Sequence, residues 1–199
     1  MTVVVQAGGE SRRMGRNKAL LPFLGQPLIQ RVVERVKPIA DEILITANQA
    51  ADYAFLNLPI FPDVLPGYGA LGGLFTALTV SKSPVTAVVA CDMPFVSADL
   101  LAYQLRLVEQ GNWDAVVPKS EAGYEPLHGV YRTQTCRNAV EWAIRTGERK
   151  MIAWFPMVKI YAIEQEELHP FDPQGRIFWN VNTPEELQTA QEAAHAETD

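Results

Sequence analysis

Cysteine and histidine are scarce in this chain. The two cysteines, Cys91 and Cys136, lie far apart in unrelated surroundings, and the three histidines, His128, His169 and His195, share no ligand spacing with them. That excludes a disulfide framework and argues against a structural zinc site, and reduced, buried thiols are the expectation. Long apolar runs are also missing: nothing approaches the roughly 18 uninterrupted apolar residues of a membrane span. The opening Met1-Thr2-Val3-Val4-Val5 has no basic leader, and its apolar run stops at Gln6. No signal or transit peptide is expected, and a cytoplasmic location follows. Positive charge is in the minority, 17 Lys and Arg against 23 Asp and Glu, for a net charge of −6. An anion of this kind is repelled on average by nucleic acid and by acidic membranes, so neither is an expected partner. Internal repeats and low-complexity linkers are absent as well.

What the chain does have is enough apolar material for one folded domain: 199 residues, 48% of them hydrophobic and 20% charged. At that size a single core needs no covalent or metal staple. Short Val- and Ile-rich runs at Val3–Gln6, Glu42–Thr46, Val85–Ala90, Asp114–Pro118 and Val158–Ile163 read as strands. Between and after them, Pro27–Val36, Leu71–Val80, Ala98–Glu109, Thr133–Arg145 and Pro184–Ala194 carry the helical period. Pro27 and Pro184 fit a first helical turn, where a missing N–H costs nothing, and Thr183-Pro184-Glu185-Glu186 has the form of a capping box. The alternation predicts a single Rossmann-like three-layer α/β domain over residues 1–192 with a mostly parallel sheet. Residues 193–199 are expected to form a frayed tail.

The strongest chemical signal follows the first strand: Gln6-Ala7-Gly8-Gly9-Glu10-Ser11-Arg12-Arg13-Met14-Gly15-Arg16-Asn17-Lys18. Open α/β sheets collect ligands beyond the carboxyl ends of their strands, where this loop begins. Adjacent glycines let backbone N–H groups approach an anion closely. Arg12, Arg13, Arg16 and Lys18 then gather positive charge that an otherwise acidic chain lacks. The loop matches neither G-x-x-x-x-G-K-[ST] nor G-x-G-x-x-G. Its residues alone leave two readings open, an anion site and a solvated basic turn.

Other polar residues also stand where strands or helices end. Asp92, in Cys91-Asp92-Met93-Pro94 after an apolar strand, can hold Mg²⁺ or cap a turn. Asn48 and Asp63 offer hydrogen-bonding groups to a nucleotide, or serve as turn residues. Gly67-Tyr68-Gly69-Ala70-Leu71-Gly72-Gly73 leads into a helix, which suits close ligand approach and tight packing equally. Arg149 and Lys150 fit either a phosphate dock or an exposed turn, and His128 reads as a packed strand residue. No Ser-His-Asp or Cys-His arrangement for nucleophilic catalysis is evident.

The loop Ala7-Gly8-Gly9-x-Ser11-x-Arg13-Met14-Gly15-x-x-Lys18 resembles the signature of nucleotidyltransferases, specifically the molybdenum cofactor guanylyltransferases. Asp92-Met93-Pro94 resembles that family's metal motif, and Asn180-Val181-Asn182-Thr183-Pro184-Glu185-Glu186 its closing motif. The resemblance spans residues 3–190 and implies a nucleotide-diphospho-sugar transferase type of fold. It implies nucleotide contacts from Gln6, Ala7, Gly8, Gly9, Lys18, Asn48, Asp63 and Asp92, with Arg13, Lys18 and Asp92 as the catalytic set. Magnesium would sit on Asp92, with Asn182 either a second contact to metal or product, or only part of a helix start. The implied reaction transfers GMP from GTP to Mo-molybdopterin and releases pyrophosphate. Molybdoenzymes or their chaperones follow as partners, and a monomer is expected. Two departures stand out: the family usually has Leu at Gln6 and proline at Ala70. Whether Gln6 touches the base or merely ends the strand is open from sequence. A cytidylyltransferase, a nucleotidyltransferase for other small phosphates and a non-catalytic GTP-binding protein are the alternatives. Gly8-Gly9 favours guanine over cytosine, for which Ala-Ala-Gly is the commoner loop.

Overall fold

A computed structural model describes residues 1–8 and 17–196. In chain order the strands are β1 (Thr2–Gln6), β2 (Pro22–Phe23), β3 (Gln26–Pro27), β4 (Glu42–Thr46), β5 (Ile60–Phe61), β6 (Val85–Ala90), β7 (Ala115–Ser120), β8 (Gly123–Tyr124), β9 (His128–Arg132) and β10 (Ile160–Ile163). The helices are α1 (Leu28–Val36), α2 (Gly69–Val80), α3 (Ala98–Gln110), α4 (Thr133–Arg145), α5 (Gln165–Leu168) and α6 (Pro184–His195). The main sheet runs β10-β7-β9-β6-β1-β4-β5, with β8 paired to β7.

Side-chain alternation along each strand builds the three layers. Val3 and Val5 of β1, Ile45 of β4 and Ala87 and Val89 of β6 pack with Ile29, Val32 and Val36 of α1 and with Leu100, Leu101 and Val108 of α3. Their neighbours Val4, Leu44 and Val88 turn the other way, onto Leu71, Leu74 and Leu78 of α2 and Ala139 and Val140 of α4. A strand buried on both faces carries apolar residues on both, so residues 3–5 of β1 and 87–90 of β6 read as continuous runs. A third cluster joins Phe23, Leu28 and Phe95 to Val181, Ala190 and Ala194, seating α6 beside the β2–β3 hairpin. Leu24 and Gly25 both have positive φ, as a two-residue hairpin turn requires.

The mostly parallel sheet is present, with one long strand reversed. β9 is antiparallel to both β6 and β7. Its sequence hides it, since Gly129 interrupts the apolar pattern and Arg132 runs straight into α4. Gly129 is required there because a Cβ would meet the Tyr131 phenol oxygen at 2.3 Å. The β7–β9 ladder ends at Val116 and Val130, and beyond it Gln104 of α3 donates through Nε2 to the carbonyls of Val116 and His128, both at 2.9 Å.

Several boundaries differ from those read in the sequence, two of them for a plain physical reason. Pro27 precedes α1 as its cap and pairs with Pro22 in the small hairpin. At the other end α6 runs through His195, past residue 193, where the frayed tail was expected, because Ala190 and Ala194 are buried against the third cluster. The capping box at Thr183 and Glu186 forms as predicted, with Pro184 in the first turn. Both cysteines are free thiols.

His128 is fully buried. Its Nε2 accepts from the Ser97 N–H at 3.3 Å, which leaves Nδ1–H to donate to Gln104 Oε1 at 3.2 Å. Burial lowers its pKa to about 4 from 6.5. The folded protein therefore refuses a proton that the unfolded chain accepts between those values. The contribution of His128 to stability is complete above pH 6.5 and declines as pH falls through that window, by roughly 1 kcal/mol per unit. In denaturant titrations at pH 7 and pH 5, the wild type should lose about 2 kcal/mol more than His128→Gln. Equal losses would contradict this account.

Candidate functional site

The strand order places the site. β1 and β6 are neighbours, and the crossover from β1 leads through α1 to β4 on one side, whereas that from β6 leads through α3 to β7 on the other. Such a reversal opens a crevice at the carboxyl ends of the strands. Gln6 and Ala90 are register partners there, and the Cys91 N–H extends the ladder to the Gln6 carbonyl at 3.1 Å. The next residue is Asp92.

Three residues far apart in sequence converge at this edge. Lys18 opens a 3₁₀ turn, Lys18–Leu20, capped by the Asn17 side chain. Its ammonium donates to Asn182 Oδ1 at 2.6 Å and lies 4.0 Å from Asp92 Oδ2. The Lys18 and Asp92 side chains are each only 21% exposed. Burial pushes the Asp92 carboxyl above its ordinary pKa, and the Lys18 charge partly opposes that rise. Asn182 comes from the segment before α6, which is tied down twice. The Val181 N–H donates to the Asp92 carbonyl at 2.9 Å, and the Asn182 N–H donates to Glu186 Oε2 at 2.6 Å. The glutamate of the capping box thus also positions the residue that holds Lys18.

The second half of the site is a cleft of about 630 Å³ lined by Gln6, Gly8, Asn48, Asp63, Gly67, Tyr68, Gly69 and Arg149. Asn48 follows β4 and Asp63 follows β5, and the parallel pairing of those strands brings the two together. Asn48 Nδ2 donates to Asp63 Oδ2, and the Asp63 N–H donates back to Asn48 Oδ1, both at 2.9 Å. Across the cleft, Gly67 and Gly69 adopt positive φ as the chain turns into α2. Arg149 crosses over to this rim, donating to the Gly67 carbonyl at 2.6 Å with its guanidinium 5.1 Å from the Tyr68 ring centre.

Of the nucleotide contacts expected from sequence, Gln6, Gly8, Asn48 and Asp63 line this one cleft. Lys18, Asp92 and Asn182 group together at the strand ends. Ala7 prolongs β1, donating its N–H to the Thr46 carbonyl at 2.9 Å. Gly9 and Arg13 lie outside the described residues, as do Arg12 and Arg16. Of the two cations left undecided, Arg149 belongs to the cleft, while Lys150 is simply exposed.

Tyr53 escaped the sequence reading altogether. Its buried phenol donates to the Ala7 carbonyl at 3.3 Å and accepts from Asn17 Nδ2 at 2.9 Å, bonding both flanks of the first loop. Desolvation raises its pKa to about 12, so it stays neutral. A lone tyrosine in a polar stretch gives no periodic signal that could have revealed this.

The donors at the strand ends suit a hard cation. Asp92 offers a carboxylate and Asn182 a neutral oxygen, and among the described residues no three His, Cys, Asp or Glu side chains converge into a metal cage. Magnesium is commonly bound this way, by one or two carboxylates together with substrate phosphates.

Residues 3–162 match the model of the MobA-like NTP transferase domain. The chain belongs to that family. It is a nucleotidyltransferase. A probable molybdenum cofactor guanylyltransferase from Carboxydothermus hydrogenoformans is 37% identical over 94% of this chain and 93% of its own length. One from Pelotomaculum thermopropionicum is 35% identical over 96% and 91%. Among solved structures, molybdopterin-guanine dinucleotide biosynthesis protein A from Archaeoglobus fulgidus superposes with a TM-score of 0.84 at 28% identity, covering 98% of this chain and all of that one. Among the described residues no helix is long and apolar enough to cross a membrane.

Proposed function

We propose that this nucleotidyltransferase transfers GMP from GTP to Mo-molybdopterin, forming the guanine dinucleotide and releasing pyrophosphate. The near-full-length similarity to molybdenum cofactor guanylyltransferases carries the choice of substrates. The convergence of Lys18, Asp92 and Asn182 beside the cleft of Gln6, Asn48 and Asp63 supports the chemistry.

In this reading the cleft takes the nucleoside, and the strand ends take the phosphates. An oxygen of the acceptor's terminal phosphate attacks the α-phosphorus in line. The bond to the bridging oxygen breaks, and pyrophosphate leaves with the electron pair. The attacking phosphate is already ionised at neutral pH, so no protein nucleophile or general base is required. The protein contributes by positioning the reactants and stabilising developing charge. Lys18 offsets negative charge on the leaving group, and its ammonium is held in place by Asn182 Oδ1. Arg13 is assigned the same task from its place in the first-loop motif. Asp92 would hold magnesium, which when bound neutralises triphosphate charge. The same reading makes the cytoplasm the compartment, a monomer the working unit, and molybdoenzymes or their chaperones the recipients of product.

Single-turnover assays with each nucleoside triphosphate and Mo-molybdopterin test the assignment. GTP should be preferred, and pyrophosphate release should require both magnesium and the pterin. Preferred turnover of CTP would make this a cytidylyltransferase, and GTP binding without pyrophosphate release would make it a non-catalytic binding protein.

A further inference from the structure

Gln6 is a buried polar residue that closes a run of three valines. It ends β1, a strand with every residue buried, and is itself only 5% exposed. Alternation turns it toward α2, as it does Val4 two residues earlier. Its carboxamide lies against Gly73, where a Cβ would stand 2.1 Å from Nε2 and 2.4 Å from Cδ. Glycine at 73 is thus the condition for a long amide at position 6. Nε2 donates to the Ala70 carbonyl at 3.2 Å. That bond fixes the orientation of the amide, because the reverse assignment would oppose two oxygens. Oε1 is left buried with no hydrogen-bond partner among the described residues, in a side chain that lines the cleft.

A buried acceptor without a donor is costly, and native proteins rarely retain one that nothing satisfies. The cleft is the direction from which a partner can come. We infer that Gln6 is a specificity-determining residue: its Oε1 accepts a hydrogen bond from the exocyclic 2-amino group of the guanine base. That amine carries two hydrogens and can serve a second acceptor elsewhere in the cleft. It is also the group that separates guanine from hypoxanthine. A leucine at this position would fill similar space and offer no acceptor. The inference rests on the guanylyltransferase reading, and it adds a direct contact between base and side chain.

The test is calorimetric binding of GTP and of inosine triphosphate, both with magnesium, to the wild type, Gln6→Leu and Gln6→Met. Inosine triphosphate lacks only the 2-amino group. The wild type should bind GTP about tenfold more tightly, as expected when a buried acceptor loses its donor. In Gln6→Leu the ratio of the two affinities should fall toward one, while binding of inosine triphosphate changes little. Gln6→Met repeats the comparison should the leucine variant fail to fold. A structural role for Gln6 would shift both nucleotides together and leave their ratio intact, and that result overturns the inference. Wild-type preference for CTP over GTP would instead overturn the guanylyltransferase reading, and the inference with it.

Discussion

Lys18→Ala should lower single-turnover pyrophosphate release by about 10²-fold or more at saturating GTP, the scale on which removal of one preorganised electrostatic stabiliser is felt. Two consequences of the geometry make the expectation specific. The ammonium is held by Asn182 Oδ1 at 2.6 Å, so its position is fixed before substrate arrives. It also supplies the charge that opposes the burial-driven rise of the Asp92 pKa. Without it, Asp92 should take up its proton at a higher pH still, and the acid limb of the pH–rate profile should move upward. A variant with near-normal turnover and an unmoved acid limb would remove Lys18 from the mechanism. Arginine should restore only part of the rate, because a planar fork does not reproduce the compact charge that fits this site.

Asp92→Asn should cost a comparable factor, about 10² or more, by a different route. The substitution keeps shape and hydrogen-bonding capacity but removes the negative charge that would hold magnesium. Its signature is the metal dependence: the magnesium concentration for half-maximal turnover should rise steeply, whereas Lys18→Ala should leave it closer to normal. Thermal stability should hardly fall, since ionised Asp92 is disfavoured by burial in the folded protein. Collapse of the fold, or a rate loss with unaltered metal dependence, would argue that Asp92 is a structural turn residue. At subsaturating magnesium the wild type should lose activity in acid at a higher pH than an ordinary carboxylate would dictate, because the metal-free Asp92 carboxyl holds its proton more tightly.

How much of this was legible beforehand depends on how local each signal is. β4, β6 and α4 could be bounded from sequence because a buried strand and an amphipathic helix write their periods directly into the chain. The capping box at Thr183 was legible for the same reason, being contained in four consecutive residues. β9 was harder to read, since its polarity is satisfied from another element: Gln104 of α3 supplies the bonds that its neighbouring strand does not. In the site, Lys18 and Asp92 were recognisable by motif, yet no pattern could show that Asn182 binds Lys18 across 164 positions of sequence. Arg149 remained undecided because its placement depends on where the turn after α4 falls relative to Gly67. Gln6 is the sharpest case. The sequence offered a departure from the family pattern, and only the position of Gly73 shows what that departure occupies.

The central place of β1 also sets an order of events during synthesis. β1 must pair with β4 on one side and with β6, made some 80 residues later, on the other. At roughly 5–20 residues per second, β1 waits about 4–16 s for its second partner. Throughout that interval Val3, Val4 and Val5 form a bare apolar edge of the kind that recruits other chains. Slowing translation before β6 should therefore lengthen the exposure and lower the yield of folded protein.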